Sequence, residues 1–111
     1  MEPRSAKAKG RRLQNEIREI LLEHFGDRLE GDDIKTAVMG ESGEDLKLSP
    51  AARRLFPYSV EAKNQEKLNI WSALEQAEKN CKPETDPLLI FKRNRSKMYV
   101  VLTLEDLLKL L

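Results

Sequence analysis

The sequence lacks the marks of a secreted or membrane protein. Its single cysteine, Cys81, excludes an intramolecular disulfide and indicates a reducing cytoplasmic setting, which for a viral protein is the host cytoplasm. No apolar run approaches the roughly 20 residues that span a bilayer. Residues 1–7 also have no apolar segment of the kind found in secretory signals. We therefore expect a cytoplasmic protein with no membrane partner.

The chain has room for one hydrophobic core. With 111 residues, of which 40% are hydrophobic, it is expected to form a single domain. Residues 1–9 are polar and predict a flexible basic N-terminal arm. Residues 10–111 carry the apolar periodicity of the folded domain.

Charge is distributed unevenly along the chain, although the formal net charge is only +1. Basic residues crowd two segments, and acidic residues lie between them. The basic residues are Lys7, Lys9, Arg11 and Arg12, then Lys92, Arg93, Arg95 and Lys97; the acidic residues are Asp27, Glu30, Asp32, Asp33, Glu41, Glu44 and Asp45. Such segregation suits a polyanion bound over metal ions, although solvated charged faces give the same composition.

Hydrophobic periodicity predicts helices and strands in the order αβββαββα. The helices are expected over residues 10–25, 66–81 and 103–111, with one or two further turns at 49–57. The strands are expected over residues 34–39, 44–48, 58–63, 88–91 and 98–102. The first three strands form a β-meander in this prediction. The fold class is therefore α/β, with a mixed central sheet of about five strands flanked by helices.

A Glu-x-Lys pair lies on the strand predicted at residues 58–63. Because side chains alternate in a strand, the apolar residues point to one face, whereas Glu61 and Lys63 point to the other. Asp45 lies on the preceding predicted strand. The pattern has two interpretations: a metal-dependent nuclease site, or an exposed ion pair of Glu61 with Lys63 or Lys47.

The nuclease interpretation rests on the chemistry of phosphodiester hydrolysis, which needs a cation, a positioned water and relief for the leaving oxygen. Mg²⁺ prefers oxygen ligands and takes one or two protein carboxylates. Asp45, Glu61 and the Ala62 backbone carbonyl supply such a partial shell. Lys63 is then placed to orient the attacking water or stabilise the reacting oxygens. Glu16, on the border of the first helix's apolar stripe, is a candidate to hold a metal-bound water or complete a second metal site.

The sequence resembles the PD-(D/E)xK nuclease superfamily. Ser42-Gly43-Glu44-Asp45 stands in place of the Pro-Asp element, and Glu61-Ala62-Lys63 forms the second half of the motif. Within the superfamily, the chain most resembles the small archaeal-type Holliday junction resolvases and their phage relatives. The basic opening Lys9-Gly10-Arg11-Arg12, the helix rich in Gln and Ala and the strand Pro-Leu-Leu-Ile-Phe-Lys carry that likeness, which covers about residues 7–111.

The resemblance implies a restriction-endonuclease-like core with Asp45 and Glu61 as metal ligands and Lys63 as the catalytic lysine. It implies Glu16 as the helix carboxylate, whereas counting from Gly10 places Gln14 where some relatives carry the acid. It further implies a structure-selective endonuclease that uses Mg²⁺, with Mn²⁺ as a substitute, and leaves a 5′-phosphate. Such an enzyme needs no organic cofactor.

The expected substrate is branched DNA, a four-way junction, cut by a homodimer because resolution needs two symmetric cuts. The residues expected to contact DNA are Lys7, Lys9, Arg11, Arg12, Ser42, Arg53, Arg54, Lys92, Arg93, Arg95 and Lys97. Two alternatives remain open. One is a nuclease of the same fold that acts on flaps, nicks or duplex DNA, and the other is a non-catalytic nucleic-acid-binding protein of that fold.

Overall fold

A computed structural model describes residues 3–38 and 41–111, with side chains described from residue 5 onward. Its helices are α1 (Pro3–Phe25), α2 (Pro50–Leu55), α3 (Ile70–Lys79) and α4 (Leu104–Lys109). Its strands are β1 (Ile34–Thr36), β2 (Leu46–Leu48), β3 (Tyr58–Asn64), β4 (Asp86–Lys92) and β5 (Tyr99–Val101). Two short 3₁₀ turns, Gly26–Arg28 and Gly31–Asp33, connect α1 to β1. This order contains every predicted element.

The strands form two sheets. β1 and β2 pair antiparallel, while β3, β4 and β5 form a second sheet in which β3–β4 is parallel and β4–β5 is antiparallel. The mixed α/β class is confirmed and is compatible with a restriction-endonuclease-like fold. The predicted meander is wrong, because β3 belongs to the second sheet and takes β4 rather than β2 as its ladder partner. A backbone hydrogen bond from Asp45 N to Val60 O, 2.9 Å long, joins the residue just before β2 to β3.

Helix α1 packs on β3 and begins earlier than predicted. Leu13 and Ile17 are buried, and Lys9 precedes them on the same face at a spacing of four residues. Residues 5–9 are rich in Ala and Lys, which are strong helix formers, so the helix extends back to Pro3. Residues 3–9, predicted as a flexible arm, therefore form the first two turns of α1. Met1 and Glu2, the start of that predicted arm, lie outside the described residues.

Side-chain caps set the starts of the other helices. Ser49 accepts from Ala52 N at the start of α2, where Pro50 occupies the first helical position. Asn69 accepts from Ser72 N, which starts α3 at Ile70 rather than at residue 66. Thr103 caps α4 in the same way, by accepting from Asp106 N. These caps fix where each helix leaves the sheet.

The core lies between α1 and the two sheets. Its most deeply buried members include Leu13, Ile34, Leu46 and Val60. The small residues Ala73 and Ala77 are the buried positions of α3, which let this helix approach β3 and β4 closely. In the described part of the chain, no helix is long and apolar enough to cross a membrane. Met39, the last residue of the first predicted strand, and Gly40, which follows it, lie outside the described residues.

Candidate active site

Asp45 and Glu61 lie side by side at the edge of β3. Asp45 Oδ2 accepts a 2.7 Å hydrogen bond from Ala62 N, and its backbone N donates to Val60 O. These two bonds hold the Asp45 carboxylate along the strand that carries Glu61. Glu61 is only 3% exposed, so the structure brings together two carboxylates that the sequence separates by a loop and a helix.

Lys63 joins this pair through the alternation of β3. Its Nζ lies 4.0 Å from Glu61 Oε2, and its side chain is partly buried. The ion pair considered as an alternative is therefore present, although it is buried at the carboxylate end rather than exposed. Lys47, the other partner considered, instead contacts Glu41, with 3.6 Å between Nζ and Oε2.

Asn80 is a contact that sequence reasoning missed. It caps the C-terminus of α3, and its Nδ2 donates to Glu61 Oε1 at 3.3 Å. A helix that connects two parallel strands packs back over them. A polar residue at the end of that helix was therefore the sequence feature that could have indicated a contact with Glu61. Asn80 orients the Glu61 carboxylate toward Asp45.

Burial raises the pKa values of both carboxyl groups, and the charge of Asp45 raises the pKa of Glu61 further. Burial raises the pKa of Glu61 to about 7, and the neighbouring charge of Asp45 adds to the increase, while Asn80 and Lys63 oppose it. Burial also raises the pKa of Asp45, against the lowering effect of the Ala62 N–H. Two neighbouring buried carboxyl groups are difficult to ionise together, so a bound cation would stabilise their ionised forms.

The donor set fits a hard divalent cation that keeps part of its water shell. In a strand, the N–H and C=O of one residue point to the same neighbour. Since Ala62 N–H points to Asp45, the Ala62 carbonyl faces that same edge. Two carboxylates and one carbonyl suit Mg²⁺, which dehydrates reluctantly. Within residues 3–38 and 41–111, no group of three or more His, Cys, Asp or Glu side chains adds a fuller shell.

Two adjacent cavities open on the carboxylate pair. One, of about 280 Å³, is lined by Asp45 and Glu61 together with Ser42, Lys79 and Asn80. The other, of about 180 Å³, is lined by Asp45 and by the α1 residues Lys7, Arg11 and Gln14. Ser42, Lys7 and Arg11, which the sequence predicts to contact DNA, thus line cavities that also contain Asp45. Lys79 was not predicted at the site.

The structure does not bring Glu16 to this cluster. Glu16 is exposed, whereas Gln14 lines the cavity beside Asp45. Positions two residues apart on a helix point about 160° away from each other. Because Leu13 and Ile17 bury the intervening face, Gln14 faces Asp45 and Glu16 faces away. The Glu16 carboxylate therefore lies apart from the carboxylate pair, whereas the Gln14 amide lines the cavity that contains Asp45.

Two of the residues expected to contact DNA have other partners or environments. Lys9 is 5% exposed, because it shares the buried face of α1 with Leu13. Arg53 donates to Glu44 Oε1 at 2.7 Å and to Tyr58 O at 2.8 Å. Lys9 is therefore buried and Arg53 is engaged within the chain, and the DNA contacts expected of these two residues stay predictions. Lys92 is partly buried, and the remaining basic residues are exposed: Lys7, Arg11, Arg12, Arg54, Arg93, Arg95 and Lys97.

The raised pKa of Glu61 predicts how the metal-free protein responds to pH. Its pKa rises from the ordinary value of 4.5 to about 7 on folding. The folded chain therefore holds this proton more tightly, and stability falls as pH rises from 4.5 to about 7. The loss amounts to at most about 3 kcal/mol. Glu61→Gln removes the ionisation, so in EDTA at pH 8 this variant is expected to melt at a higher temperature than the wild type.

Thermal melts of both proteins at pH 4.5 and pH 8 measure this effect. The exposed Glu75→Gln on α3 is the matched control and is expected to follow the wild type at both pH values. A Glu61→Gln protein that is less stable than the wild type at pH 8 in EDTA would contradict the proposed cost of ionising Glu61 beside Asp45.

An Asp just before the start of one strand beside a Glu-x-Lys on the next, within a mixed α/β fold, defines the PD-(D/E)xK class of nucleases. Residues 5–111 match the model of the family described as "Phage putative PDDEXK endonuclease". The chain belongs to this family of phage PDDEXK endonucleases. Neither the comparison with curated proteins nor that with solved structures found a significant match.

Proposed function

We propose that this protein is a Mg²⁺-dependent endonuclease that resolves four-way DNA junctions. The observation that carries the proposal is the convergence of Asp45, Glu61 and Lys63 at one edge of β3. Family membership supports the nuclease activity. The likeness of the sequence to junction resolvases supports the branched substrate, and the host cytoplasm is the proposed place of action, in DNA recombination.

Asp45, Glu61 and the Ala62 carbonyl would hold Mg²⁺, which in such sites neutralises phosphate charge and acidifies water. The Lys63 ammonium, on the same face, stabilises the extra negative charge on the phosphate oxygens as water attacks. The new bond joins the water oxygen to phosphorus, and the bond from phosphorus to O3′ breaks. A 5′-phosphate and a 3′-hydroxyl result, with the water proton released and one proton taken up by O3′. Asn80 keeps Glu61 oriented during this step.

The basic side chains around the carboxylate pair suit a phosphate backbone. Lys7 and Arg11 line one cavity beside Asp45, and Lys79 lines the other. Lysine and arginine at such borders neutralise phosphates regardless of base sequence. This arrangement supports recognition of DNA by its backbone, which is what selection for branched structure requires.

A homodimer is proposed because two symmetric cuts resolve a junction. Helix α4 supports this proposal, since its apolar stripe faces outward: Leu104, Leu107 and Leu108 are exposed, whereas Asp106 is 7% exposed. Residues three and four apart share one face of a helix. Sedimentation at micromolar concentration is expected to show a dimer for the wild type and a folded monomer for Leu108→Glu. A monomeric wild type would refute this part of the proposal.

Cleavage of a labelled four-way junction, compared with a linear duplex of the same arm sequence, tests the function. We expect junction cleavage in Mg²⁺ or Mn²⁺ and none in EDTA, with duplex cut at least tenfold more slowly. Equal cleavage of the two substrates would favour a nuclease acting on other DNA. Tight junction binding without cleavage in either metal would favour a non-catalytic binding protein.

A further inference from the structure

Gly10 is an unexplained glycine in the interior of α1. Glycine weakens a helix interior relative to alanine, because the unfolded chain gains freedom. The backbone at Gly10 does not need positive φ, which in the described residues occurs in glycine only at Gly26 and Gly43. Apart from its two chain neighbours and the adjacent backbone of its own helix, a Cβ built at Gly10 meets no atom of the described chain within 4 Å. Neither conformation nor internal packing accounts for this residue.

Gly10 borders the cavities on both sides of the candidate active site. It lines a cavity of about 630 Å³ that contains Lys63 and Lys67. It also lines the 180 Å³ cavity that contains Asp45. That second cavity shares Asp45 with the cavity lined by Glu61. The linings of the three cavities thus follow one another from Lys63, past Gly10 on α1, to the carboxylate pair, and this series of cavities is called the trough below.

The walls of this trough carry cationic side chains along most of its length. Lys7 and Arg11 flank Gly10 on the helix, and Lys63 and Lys67 border the wider end, where Glu66 is the acidic neighbour. Glu41 is the acidic residue of the narrower cavity beside Asp45. Cationic side chains along a groove follow a phosphate backbone, while a glycine lets that backbone approach the protein closely.

We propose that the cleaved DNA strand runs along this trough and that its sugar–phosphate backbone crosses α1 at Gly10. The inference rests on the proposed nuclease function and adds the path of the substrate. Gly10 acts as a positioning residue, since the space that a side chain would fill is the space that the strand occupies. Larger side chains at this position therefore weaken DNA binding in order of size, although they strengthen the helix.

The test compares Gly10→Ala and Gly10→Leu with Asn15→Leu, an equally large substitution at an exposed position of the same helix. Junction affinity is measured by fluorescence anisotropy in EDTA and in Ca²⁺, kcat and KM in Mg²⁺, and stability by thermal melting. We expect Kd and KM to rise about threefold for Gly10→Ala and at least about tenfold for Gly10→Leu, with kcat within threefold of the wild type. All three variants are expected to melt at or above the wild-type temperature, by up to about 4 °C, because alanine and leucine favour helix.

Three outcomes overturn the inference. Gly10→Leu could bind the junction as tightly as the wild type does, or Asn15→Leu could lose as much affinity for the junction as Gly10→Leu. Gly10→Leu could also melt below the wild type, which would indicate an internal packing role. Failure of the proposed function can be told apart from failure of this inference. A wild type that binds DNA without cutting it would contradict the nuclease proposal, whereas the affinities of the Gly10 variants would still test the path of the strand.

Discussion

Lys63→Met is expected to lower the single-turnover rate of junction cleavage at least about 100-fold, with little change in fold. The Lys63 ammonium lies 4.0 Å from Glu61 Oε2, on the face where the scissile phosphate would bind. Loss of one such charge-stabilising donor at a reacting centre typically slows the chemical step by about 100- to 1,000-fold. Methionine keeps the length of the aliphatic chain and removes only the charge, so the packing around β3 is preserved.

Lys67→Met is the matched control, because it removes the same charge from an exposed residue of the same cavity. With protein in excess over DNA, its rate is expected to stay within about tenfold of the wild type, since screened surface charges act mainly on binding. Cleavage by Lys63→Met within threefold of the wild type would remove Lys63 from the reaction. Equal losses in both variants would indicate general electrostatics rather than a defined position.

Arg53→Ala is expected to lower the free energy of unfolding by about 3 kcal/mol, the low end for breaking a buried ion pair. Arg53 contacts Glu44, which is 2% exposed, and bonds to Tyr58 O at the start of β3. Its loss would leave the Glu44 carboxylate buried without its cation. The melting temperature should fall by roughly 10–20 °C. Chemical denaturation with urea measures the free energy directly.

The neighbouring Arg54→Ala serves as the control, because Arg54 is exposed and its replacement is expected to change stability by less than about 0.5 kcal/mol. Combining Arg53→Met with Glu44→Leu should recover most of the loss, since no buried charge remains. If Arg53→Ala keeps its melting temperature and binds DNA more weakly, then Arg53 is a DNA contact, as the sequence alone indicated.

Local patterns in the sequence carried much of the fold. Alternation over residues 58–63 placed Glu61 and Lys63 on one face, and the short alternating run at residues 44–48 placed Asp45 on the preceding predicted strand, which in the structure begins one residue later, at Leu46. The caps at Ser49 and Thr103 were also readable, since capping depends on residues within one turn. Each of these features depends only on residues that are close together in the sequence, so local residue types are enough to predict it.

Features that depend on tertiary contacts were not readable. The face of α1 that meets the sheet decides between Gln14 and Glu16, and it also buries Lys9 among apolar residues. The contact between Arg53 and Glu44 depends on how α2 docks beside β2. Asn80 reaches Glu61 only because α3 folds back over β3. The sequence alone therefore did not show which face of α1 meets the sheet, or how α2 and α3 pack against the strands.

Mn²⁺ binding at pH 8, followed by electron paramagnetic resonance, tests most directly whether Asp45 and Glu61 form a divalent-cation site. The wild type is expected to bind at least one Mn²⁺ per chain without DNA, and Mg²⁺ should displace it. Glu61→Gln removes one ligand charge and is expected to weaken binding at least about tenfold, whereas Glu75→Gln should bind as the wild type does. A Glu61→Gln protein that binds Mn²⁺ with wild-type affinity, or a wild type that binds none at millimolar concentrations, would contradict the account.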